Sequence, residues 1–169
     1  VADENGIMIV LDISLVCENM YFIKMREPEF MDKSPAEILR TLCDLSDVIY
    51  FSARKISCSR GGGIATKNKE LYLKMRDMIP LFEGFLTYGG ISVREIESMA
   101  VGMREAVDWN VIRHSPEFIK YLVDSLDKKG IPVITPAGGL GCHLDARGFL
   151  PHLTSFDYPA GALAAALYI

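Results

Sequence analysis

Two short apolar runs with a sharply punctuated helix between them constrain this chain more than any other feature. Ile7 to Leu11 is continuously apolar, and so is Val48 to Phe51. Runs of that length predict strands, and their unbroken hydrophobicity predicts cover on both faces. Between them stands S-P-A-E, Ser34 to Glu37. The serine suits an N-cap, the proline the first helical position, and the glutamate closes a capping box. Ile38, Leu39 and Leu42 then supply an apolar helix face. Strand, helix and strand make a βαβ unit, so the two strands are expected to be parallel neighbours. The fold class that follows is α/β.

The remainder continues in that style. Gly62 to Thr66 reads as a further short strand, followed by a helix from about Asn68 to Met78. S-V-R-E opens another capped helix at Ser92, with Ile96, Met99, Ala100, Met103 and Val107 at helical spacing; its methionines are expected to fill core. A long helix through Phe118, Ile119, Leu122, Val123 and Leu126 ends in K-K-G, cationic residues and then a glycine C-cap. Pro132 to Thr135 and Cys142 to Leu144 read as two short strands joined by A-G-G-L-G. The chain starts without Met almost at a strand and stops at Ile169 within an apolar helical pattern, so it is expected to be a piece of a longer protein.

Composition excludes several classes of partner. With half of 169 residues hydrophobic and a net charge of -4, nothing marks a surface for nucleic acid or an anionic membrane. No apolar run is long enough to span a bilayer, and V-A-D-E-N-G is too acidic for a signal peptide. Cys17, Cys43, Cys58 and Cys142 lack C-x-x-C spacing. They are read as small buried hydrophobes in a reducing cytoplasm, not as a zinc site or disulfide framework.

In an open parallel sheet, ligands bind beyond the carboxyl ends of the strands. Asp12 follows the first apolar run and Lys55 comes just after the second, with small hydroxylated residues around it. A carboxylate and an amine on adjacent strand ends suit pyridoxal phosphate: the lysine binds its aldehyde, and the aspartate keeps its pyridine nitrogen protonated. Spacing alone leaves a second reading open, in which Asp12 is a loop cap and Lys55 a solvated side chain. G-G-G-I-A-T-K is not a phosphate-binding P-loop, and no G-x-G-x-x-G follows the first strand. His143 beside Cys142 is not read as a metal pair, because strand neighbours point to opposite faces.

Four blocks of sequence add to this. They are E-N-M-Y-F-I-K (Glu18 to Lys24), S-A-R-K with the following glycines (Ser52 to Lys55, Gly62, Gly63), E-G-F-L-T-Y-G-G (Glu83 to Gly90) and L-D-A-R-G-F-L-P-H-L-T (Leu144 to Thr154). On these the chain resembles the tryptophanase and tyrosine phenol-lyase family, the pyridoxal-phosphate-dependent β-eliminating lyases. The resemblance implies a fold-type-I cofactor domain over residues 1–110. It also implies a linking helix and the start of a smaller C-terminal domain over 111–169. Lys55 takes the place of the cofactor-binding lysine, Ser52 that of the phosphate-binding serine, and Arg54 replaces the lysine before it. Asp12 falls where the family has its aspartate at the pyridine nitrogen, and Ser14 where it has a small hydroxyl residue. Tyr88 falls in a block close to the family's active site, where a packing or subunit-contact role is an equal reading. The resemblance implies an amino-acid substrate and a homotetramer. It further implies a monovalent cation such as potassium, with a main-chain carbonyl ligand at Arg60; a carbonyl survives a side-chain change, but a cationic side chain works against a bound cation.

Two departures bear on the reaction. Leu15 stands where the family has an arginine, and Leu140 where it has a histidine. Both remove polar groups on the expected substrate side. The leading expectation is β-elimination giving pyruvate and ammonia. In it the freed Lys55 amine takes the α-proton, provided burial and Arg54 disfavour its charged form. A C–S β-lyase or aldolase reaction is the second reading. The third is a non-catalytic fragment or degenerate relative, and the 169-residue piece alone is expected to have no turnover.

Overall fold

The expected βαβ unit is present, with one helix more than the sequence punctuation announces. In the computed structural model, which describes residues 1–169, strand β1 (Val10–Asp12) leads into helix α1 (Val16–Arg26), then α2 (Pro35–Asp44) and strand β2 (Val48–Ser52). The strands run parallel, with Val10 opposite Val48, Leu11 opposite Ile49 and Asp12 opposite Tyr50. Helix α2 begins as its residues dictate. Ser34 Oγ accepts from the Glu37 N–H, and the Glu37 carboxylate accepts from the Ser34 N–H. Helix α1 lacks any such signal, since Leu15 at its N-cap makes no side-chain hydrogen bond. It is held by packing of Val16 and Met20, and by Lys24, whose ammonium donates to the carbonyls of Met31 and Lys33 at 2.5 and 2.6 Å.

After β2 come a single helical turn, α3 (Ala53–Ile56), and strand β3 (Gly62–Thr66), which pairs antiparallel with β2. The sheet is thus small and mixed, in the order β1-β2-β3. The helices α4 (Lys69–Arg76), α5 (Ile79–Phe82), α6 (Val93–Glu105), α7 (Trp109–Asp127), α8 (Ala146–Phe149) and α9 (Pro159–Tyr168) complete the chain. It divides into two compact units, Val1–Ile112 and Arg113–Ile169.

The core of the first unit lies on one face of the sheet. Leu11, Ile49 and Phe51 meet Ile13, Val16, Met20, Tyr21, Ile38 and Ile56 there. Strand alternation sends Val10, Asp12, Tyr50 and Ile64 to the other face. On that face Val10 is 55% and Ile64 64% exposed. The expectation of cover on both faces therefore holds only in part: Val48, on that same face, is buried, while Val10, Tyr50 and Ile64 are left open. The strand also begins later than expected. Ile7, Met8 and Ile9 are exposed and precede it, and Asp12 is its last residue.

Helix α6 carries the expected capping box, with Ser92 Oγ accepting from the Glu95 N–H. Its buried side differs from the expected one. Gly102 and Ala106 turn inward, while Ile96 and Met103 are exposed. The reason is backbone proximity: a Cβ added at Gly102 would run into the Ser57 carbonyl. Two segments that close leave room only for small residues between them. The cysteines also depart from expectation, as Cys58 is exposed and the other three only half-buried. Burial pushes the Cys17 thiol up to about 11.

In the second unit, Gly130 (φ +74°) ends the long α7 as its K-K-G signal requires. The two expected strands at 132–135 and 142–144 shrink to one antiparallel bridge, Val133 with Leu144. Pro132 and Pro136 flank that bridge and have no N–H, so a longer ladder lacks donors. Asp145 caps α8 by accepting from the N–H groups of Arg147 and Gly148. No helix is long and apolar enough to cross a membrane.

Candidate functional site

The parallel pairing of β1 and β2 brings their carboxyl ends side by side, and a connected polar group forms there. The Ser14 N–H donates to Asp12 Oδ1 at 2.8 Å, and the Ser52 N–H donates to Ser14 Oγ at 2.9 Å. Ser14 is buried, and its hydroxyl serves both neighbours: the oxygen accepts from the Ser52 N–H and the O–H donates to the Asp12 carboxylate. These bonds from Ser14 hold the Asp12 carboxyl below its ordinary value, helped by the Tyr50 hydroxyl and by the charge of Lys55. In return the Asp12 charge and hydrogen bond push the Tyr50 phenol up. The result is a carboxylate held ionised at the open edge of the sheet.

Four of the expected residues therefore meet: Asp12, Ser14, Ser52 and, through its field on Asp12, Lys55. Tyr50 belongs with them, and sequence reasoning missed it. Its signal was available only through strand register, since Tyr50 lies directly across from Asp12. Lys55 itself sits in α3, which begins immediately after β2. The Ala53 N–H donates to the Gly61 carbonyl at 2.9 Å, folding the loop after α3 back beneath it. The expected confinement of Lys55 is not found. Both Arg54 and Lys55 are exposed, so burial does not desolvate the amine in this chain.

The other expected residues lie around two hollows. Arg54 and Arg60 line a cavity of about 490 Å³ with Cys58, Ser59, Arg94, Glu95 and Ser98. The Ser59 hydroxyl donates to the Glu95 carbonyl at 2.9 Å, and Arg60 Nε stands 3.6 Å from the Glu95 carboxylate. Tyr88 stacks on Phe85 with ring centroids 5.3 Å apart. It lines a more apolar cavity of about 680 Å³ that also takes in Tyr50, Gly61 to Gly63, Ile91 and Met99. Leu15 and Leu140 are both exposed.

Pyridoxal phosphate fits the donor set at the strand ends. An amine follows one strand, an ionised carboxylate ends the other, and Ser14 ties the Ser52 backbone to Asp12 between them. What the group can do chemically is hold a cationic ring nitrogen against Asp12 and offer Lys55 as a nucleophile or base.

Comparison with known proteins bears on the family. No family model matches the chain. Its sequence is 41% identical over 169 residues to a tyrosine phenol-lyase of Lacrimispora saccharolytica, covering 99% of this chain and 36% of that protein. It is 41% identical over 170 residues to a tyrosine phenol-lyase of Symbiobacterium thermophilum, covering 100% and 37%. It is 38% identical over 168 residues to a tryptophanase of Salinibacter ruber, covering 99% and 36%. A solved structure of the SepCysS–SepCysE N-terminal domain complex overlaps 80% of this chain and 34% of that one, at a TM-score of 0.47 and 18% identity; so slight a likeness does not bear on the fold. The chain spans little more than a third of the length of the curated relatives it matches. Over the whole of that span, it belongs to the family of the tyrosine phenol-lyases and tryptophanases.

Proposed function

We propose that the full-length protein carrying this segment is a pyridoxal-phosphate-dependent lyase of fold type I. It would eliminate the β-substituent of an aromatic or other β-substituted amino acid, leaving pyruvate and ammonia. The observation that carries the reading is the Asp12–Ser14–Ser52–Lys55 group at paired strand ends, in a chain 38–41% identical to such lyases by name. Residues 1–110 are assigned to the large cofactor domain, and 111–169 to the linking helix and the start of the small domain. The setting we infer is a cytoplasmic homotetramer.

Each residue has a distinct task. When bound, the cofactor supplies an electron sink for the pair left behind as the substrate loses its α-proton. Asp12 would hold a proton at the ring nitrogen, and its depressed pKa keeps it anionic enough to do so. Ser14 orients Asp12 and, by accepting from the Ser52 N–H, fixes the start of the lysine-bearing turn. Ser52 and Arg54 would bind the phosphate. Lys55 would anchor the aldehyde and, once released from it, take the substrate's α-proton at Nζ. Tyr88 would stand on the substrate side.

A C–S β-lyase or aldolase reaction is the alternative, resting only on Leu15 and Leu140 in place of polar residues. The deciding experiment measures pyruvate released by the loaded full-length enzyme from tryptophan, tyrosine and cysteine. Release from an aromatic substrate supports the first reading. Release from cysteine alone points to the second, and no pyruvate from any of them removes β-elimination.

A further inference from the structure

The cavity beside the lysine-bearing turn carries a charge pattern that does not suit a monovalent cation. Three arginines, Arg54, Arg60 and Arg94, line it with a single acidic residue, Glu95. That carboxylate is already engaged. Its Oε2 accepts from the Ser92 N–H at 3.2 Å and from the Ser92 hydroxyl at 3.0 Å, and Arg60 Nε approaches Oε1 at 3.6 Å. Arg54 and Arg94 have no carboxylate within ion-pairing distance. A bare cation placed by the Arg60 carbonyl would meet net repulsion, with no free oxygen ligand of opposite charge nearby.

We propose that this cavity binds a small oxyanion of the phosphate class, where the family resemblance led us to expect a potassium site. Arg60 and Arg94 would be its principal ligands, assisted by the hydroxyl of Ser98. Guanidinium groups match phosphate oxygens two at a time, which ammonium or hydroxyl groups alone do not. The Arg60–Glu95 pair is no obstacle, because an ion pair at 3.6 Å with Arg60 76% exposed is weak and can be exchanged. The cavity lies against the turn that carries Lys55, and its floor is fixed by the Ser59–Glu95 hydrogen bond. An anion there would tie α3 to α6. The inference rests on the lyase reading only for the position of the expected cation.

The test is calorimetric titration of the full-length protein with inorganic phosphate at constant ionic strength. It is run on cofactor-free and pyridoxal-phosphate-loaded samples, with circular dichroism to confirm folding. Saturable binding is expected in both states, weakened about tenfold or more by Arg94→Gln and by Arg60→Gln, and weakened less by Arg94→Lys, which keeps the charge but loses the paired contact. Replacing potassium with tetramethylammonium is expected to leave the melting temperature unchanged. No saturable phosphate binding overturns the proposal. So does binding confined to the cofactor-free sample, which would place phosphate in the cofactor's own site, and so does stabilisation specific to potassium. Covalent trapping of the cofactor on Lys55 reports on the lyase reading separately, so the two can fail independently.

Discussion

At the scale of single residues, the site turns on one buried hydroxyl. Ser14 accepts from Ser52 and donates to Asp12, so it sets both the charge of the aspartate and the start of the lysine turn. In the Ser14→Ala variant, the Asp12 carboxyl is expected to titrate closer to the ordinary aspartate value, as followed by carboxyl-carbon NMR. An unchanged titration would contradict the assigned network. Tyr50→Phe should produce a smaller shift in the same direction, since the tyrosine is a lesser cause. The sign of the pH dependence follows. A folded pKa below the unfolded one gives stability that is present above the unfolded value and fades as pH falls through the folded one. Asp12 was legible because it ends an apolar run, and Ser14, Ser52 and Lys55 because they match a family motif. Tyr50 was not, because a residue's partner across a parallel pair depends on register, which no single run discloses. The cysteines give a further prediction. At pH 8 Cys58 should react promptly with a disulfide reagent, while Cys17, with its thiol pushed up to about 11, should lag far behind. Equal rates would show that the burial of Cys17 is not as described.

At the scale of elements, local chemistry and backbone proximity had different visibility. Helices α2 and α6 were announced by their capping boxes, and both boxes are formed. Ser34→Ala is expected to cost about 1 kcal/mol in denaturant unfolding, with Ser34→Asp keeping most of it. Helix α1 was illegible because its N-cap is a leucine and tertiary packing alone defines it. The inward face of α6 was misread because hydrophobic spacing points to Ile96 and Met103, while the contact is made through Gly102. A glycine inside a helix costs about 1 kcal/mol relative to alanine. Gly102→Ala would therefore stabilise the protein if the site were open. With the Ser57 carbonyl in the way, it is expected to destabilise by about 1–3 kcal/mol and to disturb the turn bearing Lys55. A rise in the unfolding midpoint would refute the close approach of α3 and α6.

For the whole molecule, the α/β class and the parallel pair could be read directly, since both follow from strand, helix and strand in order. The open sheet face could not. Hydrophobicity states a demand for cover, and Val10, Tyr50 and Ile64 leave it unmet within these 169 residues. The exposure of Lys55 belongs to the same observation, as this segment supplies one wall of the proposed site. The most direct measurement of the central claim is reductive trapping. Full-length protein is mixed with pyridoxal phosphate, reduced with borohydride, digested and mapped by mass spectrometry. The account predicts one covalently modified residue, Lys55, with the label abolished by Lys55→Ala. Modification of a different lysine, or none at all, would contradict it.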